Sequence, residues 1–119
     1  MNYVFNTGDI IKARIKEYPM FFHLGIVVVR NDGIFVYHNA PPENGINANG
    51  GSVLVEPLEK WIETREVVNI QPADITEEQI KNVAAKLSHK KYDLYFFNCE
   101  HFISFVKNEM WQSYQLETA

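Results

Sequence analysis

The stretch from Met20 to His38 constrains the fold of this chain more than any other. Met20 to Val29 is dense in β-branched and aromatic residues and predicts a central strand. Arg30-Asn31-Asp32-Gly33 is a turn signal and Ile34 to His38 returns as a partner strand, so the pair predicts an antiparallel hairpin. Alternation along a strand puts His23, Gly25, Val27 and Val29 on one face and Phe22, Leu24, Ile26 and Val28 on the other. A loop of two or four residues would set His38 opposite Gly25, one diagonal step from His23 and on its face. A loop of three residues would set it opposite Ile26 and separate the two imidazoles.

The remaining pattern surrounds that hairpin with strands and helices. Asp9 to Ile15 alternates Lys12 and Arg14 with Ile11, Ala13 and Ile15 and predicts a first strand. Val53 to Glu56 and Glu66 to Ile70 predict two more, with a helical turn from Pro57 to Ile62 between them. Asn39 to Ser52, rich in proline, glycine and asparagine, predicts a loop at the open end of the hairpin. Thr76 with Gln79 makes a capping-box pattern ahead of an Ile80, Val83, Ala84, Leu87 stripe, which predicts a helix. A second helix follows Asn98, where Cys99, Phe102, Ile103, Val106 and Met110 share one face. Strands followed by helices, with no repeat or dividing linker, predict one α+β domain over residues 1–119 with an antiparallel sheet packed against helices.

Cys99 is the only cysteine, which excludes an internal disulfide. Asn98 is the natural N-cap of the last helix, and Cys99 its first residue. A thiol there meets exposed backbone N–H groups and the positive end of the helix dipole, both of which favour thiolate, the nucleophilic form. A thiol nucleophile needs a base. His101, two residues on, points about 200° away round the helix, and His89 falls in a polar helix end. His23 and His38 remain. They would converge with Cys99 if its helix packs its apolar stripe on their face, where Gly25 would leave room for the helix N-terminus. The same three residues could also ligate a metal, but the chain has no close-spaced ligand pair, and neither metal nor cofactor is expected.

The net charge of −4 and the lack of a basic run argue against a general nucleic-acid partner. No apolar stretch approaches the ~18–20 residues that cross a bilayer. With no signal-peptide pattern and no hydrophobic C-terminal anchor, the expected location is cytoplasmic. Tyr18-Pro19-Met20-Phe21-Phe22 is read as strand core plus loop; the alternative is an exposed apolar lip giving peripheral membrane contact.

Several landmarks carry a family resemblance that spans about residues 7–107. Asn98-Cys99-Glu100-His101-Phe102 matches the NCEHF motif of the lecithin retinol acyltransferase-like family. Gly8-Asp9-Ile10-Ile11 resembles its opening strand, Phe22-His23-Leu24-Gly25-Ile26 its first histidine block, and Tyr37-His38-Asn39-Ala40-Pro41-Pro42 its second. Tyr92 to Phe97 stands where that family has its Tyr-rich approach to the cysteine. The family is a permuted branch of the NlpC peptidase superfamily and includes the H-Ras-like suppressor phospholipase/acyltransferases. The resemblance implies a permuted papain-like fold. It implies Cys99 as nucleophile, His23 as general base in a thiolate–imidazolium pair, His38 as the group that orients His23, and the Cys99 N–H in an oxyanion hole. The expected function is acyl hydrolysis or transfer through a thioester on Cys99, most directly from acyl-lipid esters. An amidase or peptidase with the same triad, or a binding module that retains the motif without catalysis, are the alternatives. The chain departs from the animal members in a longer His23–His38 spacing, in Leu24 for the usual aromatic, in a shorter connection after Pro42 and in the lack of an anchor.

Overall fold

The computed structural model describes residues 4–39, 53–87 and 100–108. Its elements in order are β1 (Ile10–Ile15), β2 (Phe22–Arg30), β3 (Gly33–Asn39), β4 (Val53–Pro57), α1 (Leu58–Trp61), β5 (Arg65–Gln71) and α2 (Glu77–Lys86). A last helix, α3, covers residues 100–108. Among the described residues the strands form one five-stranded sheet of order β4-β3-β2-β1-β5, and every pairing is antiparallel. The α+β class and the antiparallel sheet expected from the pattern are therefore present.

The central hairpin closes tightly. Arg30 pairs with Gly33, leaving Asn31-Asp32 as a two-residue loop, and Ile26 pairs with Tyr37. One step further along, that register sets His38 opposite Gly25, the arrangement that keeps both histidines on one face. β2 starts two residues later than the composition suggests. Met20 and Phe21 belong to the β1–β2 turn and are 78% and 57% exposed, so in the reading of Tyr18 to Phe22 as strand core plus loop the loop is present and the strand core is corrected. The local reason is a turn held by its own backbone: Tyr18 N–H donates to Ile15 O, Phe21 N–H to Tyr18 O and Ile15 N–H to Phe21 O.

Both faces of the sheet are covered, which explains why β2 reads as an almost continuous apolar run. One face carries Ile10, Ile26, Val28 and Tyr37, and packs against Ile80, Val83 and Leu87 of the α2 region and Phe102, Ile103 and Val106 of α3. The other carries Ile11, Ala13, Val27 and Val36 and packs against Leu58 and Trp61 of α1. Gly8 lets the chain enter β1 close against the loop before α2. A Cβ at Gly8 would stand 2.4 Å from Ala73 O and 2.6 Å from Ile75 O, and its φ of +96° already favours glycine.

α2 begins as its capping box predicts. Gln79 N–H donates to Thr76 Oγ1 at 3.2 Å, and Thr76 N–H donates to Gln79 Oε1 at 2.9 Å. The first turn is then tied to the hairpin, because the Arg30 guanidinium donates to both oxygens of Glu77 and to Tyr37 O–H. Tyr37 in turn donates to Glu77 Oε2 at 3.0 Å. Thr76→Ala removes one of these restraints and leaves the others. It should lower stability by about 1 kcal/mol, measured as a shift in the urea midpoint with an unchanged slope.

Candidate active site

His23 and His38 meet because β2 and β3 present them on the same face in adjacent strands. His23 Nε2 lies 3.0 Å from His38 Nδ1, and the ring planes are at 82°. Both are buried, His38 to 1% exposure. The third member is Glu56, which the sequence pattern did not single out. Val36 pairs with Glu56 across β3 and β4, so Glu56 shares the face of Val36 and His38. Its Oε2 lies 2.6 Å from His38 Nε2.

With His38 uncharged, the chain His23–His38–Glu56 takes one polarity. The hydrogen bond from His38 holds the Glu56 carboxyl below its ordinary range, so Glu56 is ionised and accepts. His38 Nε2–H must then donate to it. With both rings neutral, His38 Nδ1 is an acceptor and His23 Nε2–H donates to it. In that tautomer pair the lone pair of His23 is on Nδ1, the nitrogen turned away from His38; a proton on His38 Nδ1 would reverse the bond and make His23 Nε2 the acceptor. The uncharged pair is the form of a general base whose partner fixes its tautomer.

The surroundings keep His23 neutral. Its pKa is pushed down to about 3, first by burial, then by the charges of His38 and Arg65, with Glu56 opposing them. The described environment favours an uncharged imidazole. Trp61 walls the site, its ring centroid 6.0 Å from His23 and 6.1 Å from His38. Arg65 stacks over the same indole at 5.0 Å and donates from Nη1 to Trp61 O at 3.0 Å.

Two expectations about the last helix meet the structure differently. Phe102, Ile103 and Val106 are buried, as the stripe requires. They pack, however, on the Ile26 and Tyr37 face, opposite the one that carries His23 and His38. The condition under which the three residues would converge, the stripe packed on the histidine face, is therefore not met by the described part of the helix. The stripe defines which side of the helix is apolar, whereas both sides of the sheet offer an apolar surface. The space above Gly25 is also used otherwise: a Cβ there would stand 2.5 Å from Val36 Cγ1 and 3.5 Å from Trp61 Cζ2. Among the described residues, Gly25 thus admits Val36 and Trp61 to close approach on the histidine face. Asn98, Cys99, His89 and Met110 lie outside the described residues. Glu100 is exposed and His101 half-buried.

Among the described residues no group of three His, Cys, Asp or Glu side chains is arranged to hold a metal ion. No helix among them is long and apolar enough to cross a membrane. Compared with known proteins, the chain matches no family model, no curated protein and no solved structure.

Glu56 and Trp61 are the site residues that sequence reasoning missed. The alternation in Val53-Leu54-Val55-Glu56 does put Glu56 on one definite face of its strand. What pairs it with His38 is the β3–β4 register, and no tight turn links those two strands.

Proposed function

We propose that this protein is a cysteine-dependent acyl hydrolase or acyltransferase with a permuted papain-like fold, in which Cys99 is the nucleophile and His23 the base. The observation that carries the reading is the buried His23–His38–Glu56 chain, in which His23, with His38 uncharged, has its Nδ1 lone pair available. A buried strand histidine ordinarily needs one hydrogen-bond partner; a directed relay ending in an ionised carboxylate is the arrangement that proton transfer uses. The resemblance of the Asn98-Cys99-Glu100-His101-Phe102 segment to the lecithin retinol acyltransferase-like motif supplies the nucleophile.

The reaction begins as His23 Nδ1 takes the Cys99 thiol proton and the thiolate adds to an acyl carbonyl. The Cys99 backbone N–H stabilises the oxyanion. Collapse breaks the bond between the acyl carbon and the leaving group, to which His23 Nδ1–H gives its proton, and a thioester remains on Cys99. Water, an alcohol or an amine then adds to the thioester with His23 again as base. The acyl group departs on that acceptor and the thiol is restored. His38 and Glu56 keep His23 in the productive tautomer throughout and offset the positive charge it acquires transiently. Acyl-lipid esters are the first substrate class, with amides the enzymatic alternative.

A second reading has its own observation. The α3 stripe packs on the sheet face opposite the histidines, as a binding module that keeps the motif without catalysis would allow. One experiment separates the readings. The protein is incubated with a phospholipid panel and an acyl-amide panel, and its intact mass is followed. A thioester on Cys99 from lipid, absent in Cys99→Ala and formed roughly 10²–10⁴-fold more slowly in His23→Ala, is the expected result. An adduct from amides alone assigns the amidase reading. No adduct from either panel, with a native circular dichroism spectrum, assigns the binding module.

A further inference from the structure

Among the described residues the β1–β2 turn gathers the largest run of exposed apolar side chains. Tyr18, Met20, Phe21 and Phe22 are 56%, 78%, 57% and 41% exposed and follow one another at the tip of a hairpin. Scattered exposed apolar residues are ordinary on a protein surface, but a run of four large ones is not. The tip is also built rather than loose, since its backbone hydrogen bonds hold Ile15, Tyr18 and Phe21 together. The apolar side chains are therefore presented at little ordering cost.

Cations surround this tip. Lys12 Nζ lies 4.4 Å and the Arg14 guanidinium 5.4 Å from the Phe22 ring. Lys16, at the start of the turn, donates from Nζ to Glu63 O at 3.4 Å. The carboxylates beside these cations are Glu17 in the turn, Glu66, paired with Arg14 across β1 and β5, and Glu63, whose carbonyl Lys16 binds. In a chain of net charge −4, these three cations match the three carboxylates Glu17, Glu63 and Glu66, so the surroundings of the tip are neutral where the chain as a whole is acidic.

From this arrangement we propose that the β1–β2 tip docks the protein on an anionic lipid bilayer, with Met20 and Phe21 entering the headgroup–acyl boundary and Lys12, Arg14 and Lys16 facing the lipid phosphates. A convex hairpin tip suits a deformable surface better than it suits a second copy of itself, because two convex tips bury little area against each other. Aromatic residues and methionine beside lysine and arginine form the combination that interfacial binding uses, with apolar area supplying depth and cations supplying attraction to acidic headgroups. His23 directly follows Phe22 in β2, so docking through the tip would hold the histidine site close to the bilayer surface. Docking deepens the lipid branch of the acyl-transfer reading but does not depend on Cys99.

The test is co-sedimentation of the full chain with phosphatidylcholine vesicles, with and without phosphatidylserine. Binding is expected to be tighter with phosphatidylserine and to fall as salt is raised. Met20→Ser with Phe21→Ser, both at exposed positions that leave the core untouched, should weaken it roughly tenfold or more. Lys12→Gln with Lys16→Gln should remove the preference for phosphatidylserine. Cys99→Ala should bind as the parent does, so that failure of the acyl-transfer chemistry and failure of docking are seen separately. Absence of binding to phosphatidylserine vesicles at low salt overturns the proposal. So does equal binding by the serine variant, and so does a concentration-dependent dimer that the serine variant abolishes while no vesicle binding is seen.

Discussion

Trp61→Ala should lower the stability of this protein by roughly 3–5 kcal/mol, the range for removing a large buried aromatic. Trp61 is fully buried and is the largest side chain of the cluster formed with Ile11, Ala13, Val27, Val36 and Leu58. It ends a helix of four residues, Leu58–Trp61, too short to be stable on its own, so the indole anchors α1 to the sheet. Small proteins lose about 1–3 kcal/mol per molar urea, so the expected loss shifts the urea midpoint by more than about 1 M. Trp61→Phe should cost much less. It keeps most of the apolar volume, and the Trp61 Nε1–H that it removes has no hydrogen-bond partner among the described residues. A change below about 1 kcal/mol for Trp61→Ala would mean that α1 does not form a true second layer. The alanine variant also removes the wall beside both histidines, so any acyl-enzyme formation should fall further than the loss of folded protein accounts for.

How far the sequence announces this arrangement depends on whether the relevant geometry is local. The β2–β3 hairpin is local: alternation assigns the faces, the turn residues allow loops of two, three or four residues, and the Arg30–Gly33 pairing selects the two-residue loop that makes His23 and His38 neighbours. The capping box of α2 and the start of α1 after Pro57 are local too, and both elements begin where their residues indicate. The pairing of β4 with β3 is not. The chain between them, residues 40–52, is long enough to permit several registers, so the contact of Glu56 with His38 could not be read from either strand alone. Trp61 shows the same limit, because a helix of one turn has no periodicity that could reveal which surface it covers.

The last helix makes the distinction clearest. Its stripe correctly marks Phe102, Ile103 and Val106 as core residues. An amphipathic stripe records that a helix has an apolar side, whereas the choice between two apolar sheet faces depends on chain connections and total packing. Val27 and Val28, adjacent in β2, are buried in different clusters, one under α1 and one under the helices. A strand buried on both sides carries no label for which side will receive a given helix. Glycine is equally ambiguous at Gly25, since its missing side chain announces a close approach without naming the visitor, here Val36 and Trp61.

Acid should destabilise the protein earlier than its carboxylates alone would, and His23 should be the cause. In the unfolded chain an ordinary histidine titrates near 6.5, whereas burial beside His38 and Arg65 pushes His23 down to about 3 in the folded state. Between those values the unfolded chain binds a proton that the folded protein refuses. Stability therefore falls as pH falls through that window, by up to about 1.4 kcal/mol per pH unit, and the full contribution is present only above the unfolded value. Glu56 and Glu77 act in the same direction at lower pH. Each is held below the ordinary carboxylate range, Glu56 by its hydrogen bond from His38 and Glu77 by its hydrogen bond from Arg30. Their stabilisation is present above the ordinary carboxylate value and is lost as pH falls through their folded values. The upper part of the window, above the carboxylates, therefore isolates the histidines. Urea midpoints of the parent and of His23→Gln, compared at neutral pH and at points between the histidine and carboxylate ranges, should diverge in slope. The parent loses stability steadily on acidification, and the glutamine variant, which has nothing to protonate at that position, changes less. Parallel slopes would mean that His23 accepts a proton freely in the folded protein and is not the shielded neutral base that the relay to Glu56 requires.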